Sequence, residues 1–107
     1  MSEPIAPRQW SIFKVIEPDT SETIYKVLAG WGADAWKINS GIKKIEETER
    51  MFLYHGYSGS VYHCHKSCYG TGTMSQSIYD DYAKKMVEAG YEPLVMLSEA
   101  EAFALKL

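Results

Sequence analysis

The chain has 107 residues, 46% of them hydrophobic and 23% charged, which suits one folded domain with a single core and speaks against a disordered protein. Its formal net charge of −3, with lysines and arginines scattered rather than clustered, speaks against a general nucleic-acid binder, because phosphate contacts need concentrated positive charge. No apolar run approaches the length of a membrane-spanning helix, and the start, Met1-Ser-Glu-Pro-Ile-Ala-Pro, lacks a basic-then-apolar signal pattern. The expectation is a cytosolic protein without membrane or nucleic-acid partners, in which Cys64 and Cys68 stay reduced.

Residues 1–8 carry two prolines and read as a flexible arm, so a single domain is expected over residues 9–107. Trp10 to Ile16 (WSIFKVI) is rich in β-branched and aromatic residues and reads as a strand. The turn formers of Glu17 to Thr23 then lead to a returning strand, Ile24 to Ala29, completing a hairpin. The glycines at 30 and 32 break the pattern around Trp31. Trp36 to Ile45 (WKINSGIKKI) reads as one strand with a bulge at Ser40-Gly41. A charged turn, Glu46 to Arg50, precedes a second hairpin made of Met51 to His55 and Val61 to His65.

A helix is expected from Ser75 or Ser77, either of which can cap it, through about Ala89, with Ile78, Tyr82, Met86 and Val87 along its buried face and Gly90 ending it. Tyr91 to Leu97 reads as a short strand whose Pro93 demands an edge position. Ser98 and Glu101 stand at capping-box spacing, with Leu97 and Ala102 as the flanking apolar pair, opening a last helix over residues 98–107. The sum is an α+β fold: an antiparallel sheet of about five or six strands packed by two C-terminal helices.

The second hairpin gathers the chemistry. All three histidines and both cysteines fall between His55 and Cys68. Thiolates and imidazoles are the ligands of zinc, and His55, His63, His65 and Cys68 form the candidate metal set. The partner Cys/His pair 12 to 20 residues away that zinc fingers carry is missing. Alternation along a strand puts His63 and His65 on one face and Cys64 on the other. Whether His55 joins the histidines depends on the loop. A two-residue loop sets it beside Cys64, and a three-residue loop with Gly59 in the left-handed position sets it with His63 and His65. The same residues also make a plain solvated sheet face with a small buried cysteine, which needs no metal. A third reading is thiol chemistry at Cys68, near Lys66 and His65, although the sequence supplies it with no orienting carboxylate or oxyanion hole.

Aromatic residues give the leading functional reading. Tyr54, Tyr57, Tyr62 and Tyr69 crowd this hairpin and Trp36 lies near in sequence, the composition of a protein-protein contact surface. The expectation is a non-enzymatic, cofactor-free module that binds another protein through these five residues. The string WKINSGI followed by SGSVYHCHKSCYG resembles a set of small uncharacterised proteins of bacteria and their prophages, over roughly residues 36–70. The resemblance implies a short cytosolic accessory or inhibitor protein and assigns no activity, ligand or catalytic residue.

Overall fold

The computed structural model describes residues 5–31, 35–70 and 73–107, with side chains described from Gln76 onward in the last segment. Among the described residues seven strands form two antiparallel sheets, with two α-helices in the C-terminal third, an α+β fold. The first sheet has the order β3-β2-β1-β7, built from β1 (Gln9–Ile16), β2 (Thr23–Gly30), β3 (Trp36–Ile38) and β7 (Val95–Met96). The second has the order β4-β5-β6, built from β4 (Ile42–Glu47), β5 (Met51–Gly56) and β6 (Val61–His65).

The stretch WSIFKV is apolar almost without alternation because β1 is covered on both faces. Trp10 and Ile12, with Val27 and Ala29 across from them in β2, point toward the second sheet and pack on Phe52, Tyr54, Tyr62 and Cys64. Phe13 and Val15, with Leu28, point the other way. There they meet Tyr79, Tyr82 and Met86 of α1 (Thr73–Glu88). The layers therefore run helix, sheet, sheet. Trp10 is the hub of the inner layer. It is 1% exposed, and rings of Phe52, Tyr54, Tyr69 and Phe103 lie between 4.8 and 6.2 Å from it, centroid to centroid.

The expected single strand over Trp36 to Ile45 is corrected to two strands in different sheets, with the chain crossing at Asn39-Ser40-Gly41. The cause is local. Asn39 donates its N–H to the Val27 carbonyl at 3.1 Å and accepts the Val27 N–H on its side-chain Oδ1 at 2.9 Å, so its side chain ends the pairing with β2. Gly41, at φ 130°, then turns the chain in a conformation that side-chain-bearing residues rarely adopt. Two stacked sheets, rather than one, follow from this corner.

The part of the expected arm that is described, residues 5–8, is bonded to both sheets. Ile5 donates to the Val61 carbonyl at 3.1 Å and accepts from His63 at 2.7 Å, adding a parallel bridge to the outer side of β6. Arg8 donates to Gly30 at 2.9 Å, and the Trp31 indole donates to the Ala6 carbonyl at 2.8 Å. Residues 5–8 thus tie one sheet to the other. The expected break at Gly30 to Asp34 lies partly outside the described residues.

Helix α1 already begins at Thr73, so Ser75 and Ser77 lie within it rather than capping it. Val87, expected on its buried face, is 47% exposed. Its C-terminus is as expected: Gly90, at φ 99°, donates to Val87 and Tyr91 donates to Met86, satisfying two of the last carbonyls. Strand β7 is shorter than expected and pairs with β1 at the sheet's edge. Helix α2 (Glu99–Phe103) opens with both halves of the Ser98/Glu101 capping box formed, and Leu97 and Ala102 are buried beside it, but it ends at Phe103 rather than continuing to residue 107. Among the described residues no helix is long and apolar enough to cross a membrane.

Candidate functional site

The β5–β6 hairpin takes the three-residue loop. Gly56 donates to the Ser60 carbonyl at 2.8 Å, Tyr57-Ser58-Gly59 form the loop, and Gly59 sits at φ 94°. His55 therefore lies opposite Val61, Leu53 opposite His63, and Met51 opposite His65. All three histidines share the face turned away from the first sheet. They do not converge: His55 turns toward β4, where its Nε2 meets Glu46 Oε1 at 2.6 Å, while His63 and His65 stand across from apolar side chains. Cys68 follows β6 by way of a single 3-10 turn, Lys66–Cys68. Among the described residues no group of three or more His, Cys, Asp or Glu side chains is placed to hold a metal ion.

Both cysteines are free thiols. Cys64 is fully buried, and that burial pushes its thiol pKa far up, which holds it in the un-nucleophilic protonated form. Cys68 is half-buried against the core, with the Ser67 hydroxyl 3.8 Å from its sulfur.

The five aromatic residues expected on one contact surface are divided by the fold. Tyr54 and Tyr62 are 0% and 1% exposed and belong to the core, a correction that follows from the second sheet being stacked on the first. Tyr69 is also held inward, its hydroxyl donating to the Leu97 carbonyl at 2.7 Å and accepting the Ile12 N–H at 3.1 Å. Trp36 and Tyr57 face solvent, at 48% and 63% exposure. Trp36 lies on the helix side of the first sheet, beside Ile78, Tyr82 and Lys85 of α1.

Tyr57 sits at the tip of the hairpin and is fixed there by the corner between the sheets. Its N–H donates to the Gly41 carbonyl at 3.1 Å, and the next residue, Ser58, donates to Ser40 Oγ at 3.0 Å. The tyrosine ring lies so close over Gly41 that a Cβ there would stand 2.9 Å from Cδ2 and 3.0 Å from Cε2. Glycine at 41 thus serves two ends, the turn and the seat for the ring. The residues that position Tyr57, Ser40 and Gly41, read in sequence only as turn chemistry. The available signal was the repeat of small residues, NSG and SGS, in two segments that can meet only if hairpin and corner touch. The two strings WKINSGI and SGSVYHCHKSCYG meet here, at Ser40 and Ser58. No protein-family model, curated protein or solved structure matches the chain.

Proposed function

We propose that this is a small non-enzymatic protein-binding module that captures its partner at the corner where Tyr57 lies on Gly41. The observation that carries the reading is the combination of exposure and fixation at Tyr57. Its ring is 63% exposed, yet its backbone and that of Ser58 are bonded to the corner and its ring rests on a glycine chosen for closeness. An aromatic side chain held rigid before binding loses little conformational entropy on contact, which is what makes a tyrosine an efficient anchor. Trp36 is the second exposed aromatic and is proposed as a further contact on the helix side.

The resemblance of these two strings to small bacterial and prophage proteins supports an accessory or inhibitor role in the cytosol, and two free thiols suit a reducing compartment. The test compares the intact protein with Tyr57→Ala and Trp36→Ala as immobilised baits in native lysate. Tyr57→Ala is expected to weaken capture of the specific partner about thirtyfold, the effect of losing an anchor worth about 2 kcal/mol, with stability within about 0.5 kcal/mol of the parent. Undiminished capture, or a variant that unfolds, refutes the reading.

A further inference from the structure

Four strands lie at the rims of the two sheets: β3 and β7 in the first, β4 and β6 in the second. The outer side of β6 is taken by Ile5, and β3 and β7 run for three and two residues. Strand β4 is different. It runs for six residues, begins directly after the Gly41 corner, and its outer side has no backbone partner among the described residues. An unpaired edge of that length is a template for another strand.

Beside this edge is a slot of about 360 Å³ between the sheet and the C-terminal segment. Its walls are apolar: Ile45, Phe52, Phe103 and Leu105. Its rim is basic: Lys43, Lys44 and Lys106, in a chain whose net charge is −3. Lys43 and Lys106 enter no ion pair among the described residues, and Lys44 only approaches Glu46 at 3.8 Å. Of the described carboxylate side chains on β4, Glu47 lines the slot and is bonded to Lys66 at 2.6 Å, a lysine that also lies 5.1 Å above the Phe52 ring, while Glu46 is bonded to His55 at 2.6 Å.

Lysines and a bulge on an edge strand ordinarily discourage pairing. They do not discourage a strand of opposite charge. We infer that β4 receives an extended acidic segment of a partner protein, added as a fourth strand to the second sheet, with one apolar side chain in the slot and its carboxylates on Lys43, Lys44 and Lys106. The inference rests on the protein-binding reading and names the kind of partner, since β4 leads away from the Tyr57 corner.

The probe is a labelled seven-residue peptide alternating glutamate and valine around one central phenylalanine, titrated against the full chain by fluorescence anisotropy. Saturable binding that weakens with salt is expected, together with slowed amide hydrogen exchange across Ile42–Glu47. The double variant Lys43→Glu/Lys106→Glu, altered only at exposed side chains, is expected to bind it at least about tenfold more weakly. Lys84→Glu, the same charge change at an exposed residue of α1 outside the slot, is expected to bind the peptide as the parent does. Equal binding of the matching lysine peptide, or unchanged exchange across β4, overturns the inference. So does self-association of the free protein that protects the same amides. Lysate capture that depends on Tyr57 without any peptide binding overturns it too, while leaving the protein-binding reading in place.

Discussion

Asn39 completes the pairing of Val27 twice over, donating its backbone N–H to the Val27 carbonyl and accepting the Val27 N–H on its own side chain. A side-chain oxygen here does the work of a strand carbonyl at the last position before the chain leaves the sheet. Its Oδ1 also receives the Gly41 N–H at 3.3 Å, so one oxygen serves both sides of the corner. Replacing Asn39 by alanine strands the N–H of a fully buried residue. The expected loss is about 1–3 kcal/mol, read by urea denaturation with the slope of the transition unchanged.

Gly41 and Tyr57 are expected to be coupled. Gly41→Ala meets three obstacles, the positive φ, the tyrosine ring and Ile24, whose Cγ2 would stand 3.0 Å from the new Cβ, whereas Gly59→Ala, at φ 94° with no described atom within 4 Å, meets the first alone. Gly41→Ala should cost about 2–3 kcal/mol and Gly59→Ala about 1 kcal/mol. In the Tyr57→Ala background the cost of Gly41→Ala should fall by at least about 0.5 kcal/mol, and additive costs in that double-mutant cycle would show that the ring does not press on the corner.

Two tyrosine hydroxyls make opposite predictions under the same substitution. Tyr54 is buried with no partner for its hydroxyl among the described residues, so Tyr54→Phe removes an unpaired group, and stability should hold or rise. Tyr69→Phe removes two hydrogen bonds and orphans the Ile12 N–H, and should cost about 1–3 kcal/mol. Thermal melts of the two variants side by side decide the matter.

Burial raises the tyrosine pKa values of the inner layer, Tyr62 to about 12 and Tyr54 and Tyr69 in the same direction. A raised pKa in the folded state means that the fold holds protons the unfolded chain releases. The stability linked to them is complete below the ordinary tyrosine value near 10 and is lost as the pH climbs from there to about 12. Alkaline unfolding is therefore expected in that interval, with the phenolate absorbance of the buried tyrosines appearing together with loss of the fold. Ionisation of those tyrosines below pH 10 in an intact fold would contradict the burial.

What the sequence discloses depends on how far each feature reaches along the chain. The Ser98/Glu101 box and the Gly90 cap are complete within four or five residues, and both are legible. The hairpin's register reduces to one turn, and the left-handed Gly59 settles it. The division into two sheets is not legible in this way, because WKINSGIKKI has the same alternation whether it continues in one sheet or changes to another. The cause is a bond between Asn39 and a residue twelve positions earlier. The same gap explains the tyrosines. Phe52, Tyr54, Tyr62 and Cys64 share one face by strict alternation, so the burial of Cys64 carries Tyr54 and Tyr62 inward with it. The alternation that sorts the histidines sorts the tyrosines as well. The slot beside β4 had no local signal, since Phe52, Phe103 and Lys43 are far apart in sequence.

The ties between the two sheets bear on how the protein folds. Each hairpin closes on neighbours in sequence, but the Trp10 indole donates to the His65 carbonyl at 2.6 Å across 55 residues. The Ile5 bridge to Tyr62 spans a comparable distance. Long closures of this kind are slow because chain entropy is spent before the contacts reward it. Joining the two hairpins is then expected to be slower than closing either one, and Trp10 fluorescence in a Trp31→Phe/Trp36→Phe background is the signal that follows it.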